Sequence, residues 1–144
     1  MVESVEGAGG EGAEPVLDPG PLATVASLQR PGAPDLLGRV LALFADDAPR
    51  HVAGVAEGID ALDAERVRTS AHTLKSSAAN VGAARLAAAC ARIERAAREA
   101  NLVACVAPAD GLDALLAETL DALAAAHGPR DASGPDGSTG RRAA

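Results

Sequence analysis

Between Pro21 and Ala126 the apolar residues recur at three- and four-residue intervals, the spacing of one face of an α-helix. A short helix is predicted from Pro21 to about Gln29, stopped by Pro31-Gly32. The next begins near Pro34, a favoured first-turn residue, and carries Leu37, Val40, Leu41 and Phe44 on one stripe. Asp46 and Asp47 precede Pro49, which is expected to open a separate helix bearing Val52, Val55 and Ile59. Asp63 reads as the N-cap of a helix from Ala64 to Val81. Gly82 marks a break, after which Leu86, Cys90, Ile93 and Ala97 line a helix ending near Asn101. A last helix shows Leu112, Leu115, Leu116, Thr119 and Leu123, with its start left open on either side of Pro108. Amphipathic helices with short connections predict an all-α antiparallel four-helix bundle with one or two short extra N-terminal helices.

Composition narrows the picture. Alanine makes up a quarter of the 144 residues, and Phe44 is the sole aromatic. Alanine favours helix, whereas the β-branched and aromatic residues that cover sheet faces are scarce, which excludes an all-β fold. The lack of stacking side chains and a net charge of −7 argue against nucleic acid and anionic membranes as partners. No run approaches the roughly 18 apolar residues of a membrane helix. The acidic, glycine-rich start is unlike a secretory signal, and the two cysteines, Cys90 and Cys105, have neither disulfide-framework nor zinc spacing. A cytoplasmic monomer with no metal site of its own is the expectation.

Residues 1–16 and 128–144 read as disordered tails flanking a domain over 17–127. Gly7, Gly9 and Gly12 have GxGxxG spacing, but no strand precedes them and the neighbouring glutamates would repel phosphate, so no nucleotide site is read there.

The basic residues carry a sharper signal. Twelve of the thirteen are Arg, and the one lysine, Lys75, stands three positions after His72. On a helical wheel Val67, Ala71, Leu74, Ala78 and Val81 fall within about 40° of one line, and His72 lies about 140° from Val67. The imidazole therefore points away from the core. Glu65, Arg68, Thr69, Ser76 and Ala79 share its face as a candidate docking surface. An exposed imidazole beside one flexible cation suits a nucleophile awaiting an anionic electrophile. Residues 64–99 hold seven basic side chains against three acidic ones, so a +4 hairpin sits on a chain whose remainder carries −11. Such asymmetry would steer an acidic partner toward His72. His51 and His127 are read as surface residues, the second at the edge of the C-terminal tail. Cys90 is read as an inert core residue.

The stretch Ala71-His72-Thr73-Leu74-Lys75-Ser76-Ser77-Ala78-Ala79-Asn80-Val81-Gly82 resembles the signature of histidine phosphotransfer (HPt) domains, the phosphocarriers of two-component phosphorelays. The likeness extends from Leu17 to Ala126. It implies that His72 is phosphorylated, that Lys75 stabilises the phosphoryl oxygens, and that Asn80 and Gly82 belong to the structural part of the motif. The partners it implies are response-regulator receiver domains, of a hybrid histidine kinase or a response regulator, which supply Mg²⁺ from an acidic pocket; no cofactor of the chain's own is implied. The chain would be a phosphotransfer intermediate rather than an enzyme, since it has no ATP loop or kinase signature. Two other readings are a non-phosphorylated helical adaptor that binds receivers, and a histidine-containing region of a chemotaxis-type kinase. The second would be expected to continue into dimerisation and ATP-binding domains, which this sequence does not contain.

Overall fold

The computed structural model describes residues 14–133, with side chains to His127; the GxGxxG glycines and the far C-terminal tail lie outside the described residues. Six helices are described: α1 (Pro19–Ser27), α2 (Leu36–Asp60), α3 (Ala64–Asn80), α4 (Ala84–Arg98), α5 (Val103–Asp110) and α6 (Leu112–Ser133). Helices α2, α3, α4 and α6 form a closed ring of neighbours, α2 on α3, α3 on α4, α4 on α6 and α6 on α2. This is the antiparallel four-helix bundle expected from the hydrophobic period. One short N-terminal helix, α1, precedes it, within the one or two expected, and a further short helix, α5, lies between α4 and α6.

Each helix start has a local cause. The Asp18 carboxylate accepts from Gly20 N, Asp35 from Gly38 N and Asp63 from Arg66 N at 2.9–3.0 Å, satisfying donors that a first turn leaves free. The largest difference from the sequence reading is at Pro49, which lies inside one continuous 25-residue helix. A helix-interior proline costs about 3 kcal/mol. The stripe Leu37, Phe44, Ala48, Val52 and Val55 is buried on both sides of it, and that shared packing keeps the helix unbroken while Pro49 faces solvent. Pro108 is likewise tolerated, within α5.

Small residues bring α2 and α3 together. A Cβ built on Gly58 would lie 3.0 Å from the backbone N of Val67, and one on Gly54 would run into the Ser70 side chain. The predicted stripe Val67, Ala71, Leu74, Ala78 and Val81 is buried throughout. Gly82 ends the α3 segment at φ +76°, and a Cβ there would collide with the carbonyl oxygen of Asp18. Asp18 N donates to Gly82 O at 2.6 Å and Arg85 N to Pro15 O at 3.0 Å, so the chain from residue 14 is anchored on the α3–α4 turn. The expected N-terminal tail is therefore ordered in its last residues, Glu14 to Val16.

The C-terminal boundary also differs. Helix α6 continues to Ser133, six residues beyond His127, where a tail was expected. His127 is consequently a helix-interior residue, 8% exposed, with Nε2 3.2 Å from Asp35 Oδ2 at the start of α2. His51 is also partly covered, its side chain 25% exposed and Nε2 3.8 Å from Asp47 Oδ2. Among the described residues no helix is long and apolar enough to cross a membrane.

Candidate functional site

Helix α3 presents His72 on the face opposite its buried stripe, and α4, packed most extensively against α3, supplies the groups beneath it. The imidazole is 54% exposed. Its Nδ1 lies 2.8 Å from Glu94 Oε2, a residue of α4 that is only 2% exposed. Lys75 Nζ sits 2.6 Å from the other oxygen, Oε1, and Arg98 Nη2 lies 2.7 Å from Oε2. Glu94 thus binds three nitrogen groups with two oxygens.

The protonation pattern follows from these contacts. Burial drives the Glu94 pKa up, but hydrogen bonds and charge from Lys75 and His72 outweigh it and hold the carboxyl below its ordinary 4.5. An ionised carboxylate can only accept, so Nδ1 of His72 carries the ring proton and donates it. In the neutral form of the ring this leaves the lone pair on the other nitrogen, Nε2, at its exposed edge.

The structure brings together His72 and Lys75 as the sequence predicted, but Lys75 is not a free ammonium: it rests on Glu94 with its side chain 35% exposed. Glu94 itself was counted in the sequence only as one of three acidic residues in a basic hairpin. Its one available signal was position. Glu94 follows Cys90 by four residues and Ile93 by one, which puts a carboxylate on the margin of the buried α4 stripe. Arg98, one turn later, was legible only as part of the positive charge.

The candidate docking residues share the exposed face. Glu65, Thr69, Ser76 and Ala79 are exposed and Arg68 is half-buried. Arg68 forks onto Glu65, Nε to Oε1 at 3.0 Å and Nη2 to Oε2 at 2.5 Å, and this pair holds the Glu65 carboxyl below its usual range. Thr69 Oγ1 donates to Glu65 O at 2.9 Å. Asn80, exposed in the last turn of α3, borders a shallow depression with Ser77, Leu43 and Asp47. Cys90 lies fully buried under this face, its thiol pushed up to about 12 by burial. Among the described residues no three His, Cys, Asp or Glu side chains converge to hold a metal ion.

Residues 39–126, more than half of the chain, match the Hpt domain family. The chain belongs to that family. It is 33% identical over 82 residues to histidine-containing phosphotransfer protein 2 of Arabidopsis thaliana, a match covering 55% of this chain and 53% of that protein, so it spans about half the length of this relative. Among solved structures, it is similar to histidine-containing phosphotransfer protein B from Pseudomonas aeruginosa PAO1, with a TM-score of 0.71 at 24% identity over 79% of this chain and 96% of that one. A maize histidine-containing phosphotransfer protein gives a TM-score of 0.66 at 25% identity over 74% and 78% of the two chains. The fold of this Hpt domain is therefore that of the family, as the likeness around His72 implied.

Proposed function

We propose that the protein is a phosphorelay phosphocarrier: His72 takes a phosphoryl group from the aspartate of a response-regulator receiver domain and hands it to a second receiver. The observation that carries this reading is the hydrogen bond from His72 Nδ1 to the ionised, buried Glu94, which assigns the lone pair of the neutral ring to the exposed Nε2.

In the forward step Nε2 forms a bond to phosphorus while the acyl-phosphate P–O bond breaks, its electron pair returning to the receiver's aspartate. The ring gains positive charge, and Glu94 lies ready to neutralise it. Phosphoryl transfer asks the protein mainly for in-line placement and charge compensation. Lys75, on a flexible four-carbon stem beside the acceptor, supplies the compensation for the phosphoryl oxygens. Glu65, Arg68, Thr69, Ser76 and Ala79 form the surface on which the receiver docks. The receiver, from a hybrid histidine kinase or a response regulator, brings Mg²⁺. The phosphorylated chain is an intermediate and not a turnover enzyme, and the carrier acts as a cytoplasmic monomer.

The test is transfer of labelled phosphate from phosphorylated receiver domains. Acid-labile, base-stable label on the wild type and none on His72→Gln is the expected result. Equal labelling of that variant would overturn the site, and no transfer from any receiver of the organism would favour a non-phosphorylated adaptor.

A further inference from the structure

The cations around the imidazole differ in what each must leave behind to meet an incoming anion. Lys75 and Arg98 rest on Glu94, whose side chain is 3% exposed, so either one that departs strips a counter-charge from a carboxylate that water hardly reaches. Arg68 rests on Glu65, 72% exposed, where water rehydrates the carboxylate as soon as its partner swings away. Of these three, Arg68 has the bond most easily exchanged for another.

Helix geometry puts Arg68 in the right place. It precedes His72 by four residues, so the two share a face one turn apart. Side chains on a helix lean toward its N-terminus, and a group carried on the outer edge of the His72 ring therefore lies over the turn that holds Arg68. The guanidinium is held above the ordinary arginine range first by its hydrogen bond with Glu65 and also by the charge of Glu94, which sets it in the field of the carboxylate beneath the ring. Its shape fits the ligand as well. Nε and Nη2 already face two carboxylate oxygens side by side, at 3.0 and 2.5 Å. The same fork matches two oxygens of a phosphoryl group, which the point charge of an ammonium does not.

We infer that Arg68 is a second phosphoryl-binding residue of this site: it exchanges Glu65 for the phosphoryl oxygens as the group arrives on His72, and Glu65 is the positioning residue that holds it in wait. The inference deepens the proposed phosphocarrier role and rests on His72 being the acceptor. Lys75, tied to Glu94, and Arg68, released by Glu65, then flank the group from the two sides of the ring.

The full chain is phosphorylated with phosphoramidate, a donor that needs no receiver. Nε2 bonds to phosphorus, the N–P bond of the donor breaks with its electron pair leaving on ammonia, and Nδ1 keeps its proton. Initial rates of phosphohistidine formation are compared for the wild type, Arg68→Ala, Glu65→Gln, the double variant and Arg66→Ala. Arg68→Ala should slow the reaction about 10-fold. Arg66→Ala removes the same charge from the α2 side of α3, where Arg66 faces Glu57, and should stay within about 2-fold of wild type. Glu65→Gln should speed the reaction about 3-fold, which loss of a merely structural pair would not do, and the gain should vanish in the double variant. Equal rates in Arg68→Ala and wild type, or equal slowing by Arg66→Ala, overturn the inference and leave the acceptor assignment standing. A Glu65→Gln gain that survives without Arg68 is a general charge effect and overturns it too. So does a Glu65→Gln rate at or below wild type, which serves where Arg68→Ala fails to fold. Labelling of His72→Gln equal to that of wild type overturns the acceptor assignment, and the inference with it.

Discussion

Lys75 Nζ and Glu94 Oε1 are 2.6 Å apart, joining the single lysine of the chain to a carboxylate buried under the candidate acceptor. The pair has two consequences, one for chemistry and one for stability. Lys75→Ala removes the cation that would meet the phosphoryl oxygens, and transfer should slow about 10-fold or more if that contact contributes roughly 1.5 kcal/mol in the transition state. Breaking a buried pair by deleting one partner costs about 3–5 kcal/mol. Here His72 and Arg98 remain on Glu94 and water reaches Lys75, so about 1–2 kcal/mol is expected. In urea denaturation the double variant Lys75→Ala/Glu94→Gln should lose less than the sum of the single losses. Additive losses would mean the two side chains do not couple, and an unchanged transfer rate would reduce Lys75 to a surface charge.

Acidification gives an independent reading of the same carboxylate. The folded-state pKa of Glu94 lies below its ordinary 4.5, because the bonds from Lys75 and His72 outweigh the effect of burial. Between the folded value and 4.5 the unfolded chain binds the extra proton, so stability rises with pH through that window. The contribution is complete above about pH 4.5 and is lost as pH falls through the depressed value. Wild-type stability, measured by urea unfolding at steps from about pH 6 to 3, should therefore decline more steeply than that of Glu94→Gln. Parallel curves would show that the carboxylate is no better held in the folded state than in the unfolded one.

How far the sequence could be read depends on which interactions are local. The α3 stripe from Val67 to Val81, the Asp63 cap and the outward direction of His72 follow from 3.6-residue geometry along one helix, and the structure matches them. Pro49 was misread because a local rule was applied where packing on both sides of the proline decides. Glu94 was missed because its burial depends on the register between α3 and α4: twenty-two residues of sequence separate it from His72, and no period on one helix encodes a pairing across two. His127 was read as a surface residue because the composition of residues 128–133, with Gly128 and Pro129, looks like a tail, whereas α6 continues through them and turns the ring onto Asp35.

The two thiols offer a check on the core that does not depend on function. Burial pushes Cys90 up to about 12 and raises Cys105, whose Sγ lies 3.7 Å from Ile93 O and 3.6 Å from Asn101 O. The thiolate is the reactive form, so both should be nearly inert to a disulfide reagent at neutral pH. In strong denaturant both should react rapidly and completely. Fast reaction of one thiol in the native protein would place that residue at the surface and would contradict the packing of α4 or α5 accordingly.

Gly82 is where α3, its partner α4 and the N-terminal segment meet. Its φ of +76° disfavours any side chain, and the space a Cβ would need is taken by the Asp18 carbonyl. Gly32 makes a natural control: φ is +79°, but nothing lies within 4 Å of a Cβ there. Gly32→Ala should cost about 1 kcal/mol from backbone conformation alone. Gly82→Ala carries the same backbone cost, and the turn must also shift away from Asp18, so a loss of about 3 kcal/mol or more is expected in thermal or urea unfolding. The displaced turn breaks the bond from Asp18 N to Gly82 O, so amide exchange at Asp18 should quicken in Gly82→Ala and not in Gly32→Ala. Equal destabilisation by the two substitutions would show that Gly82 serves as a helix stop and nothing more.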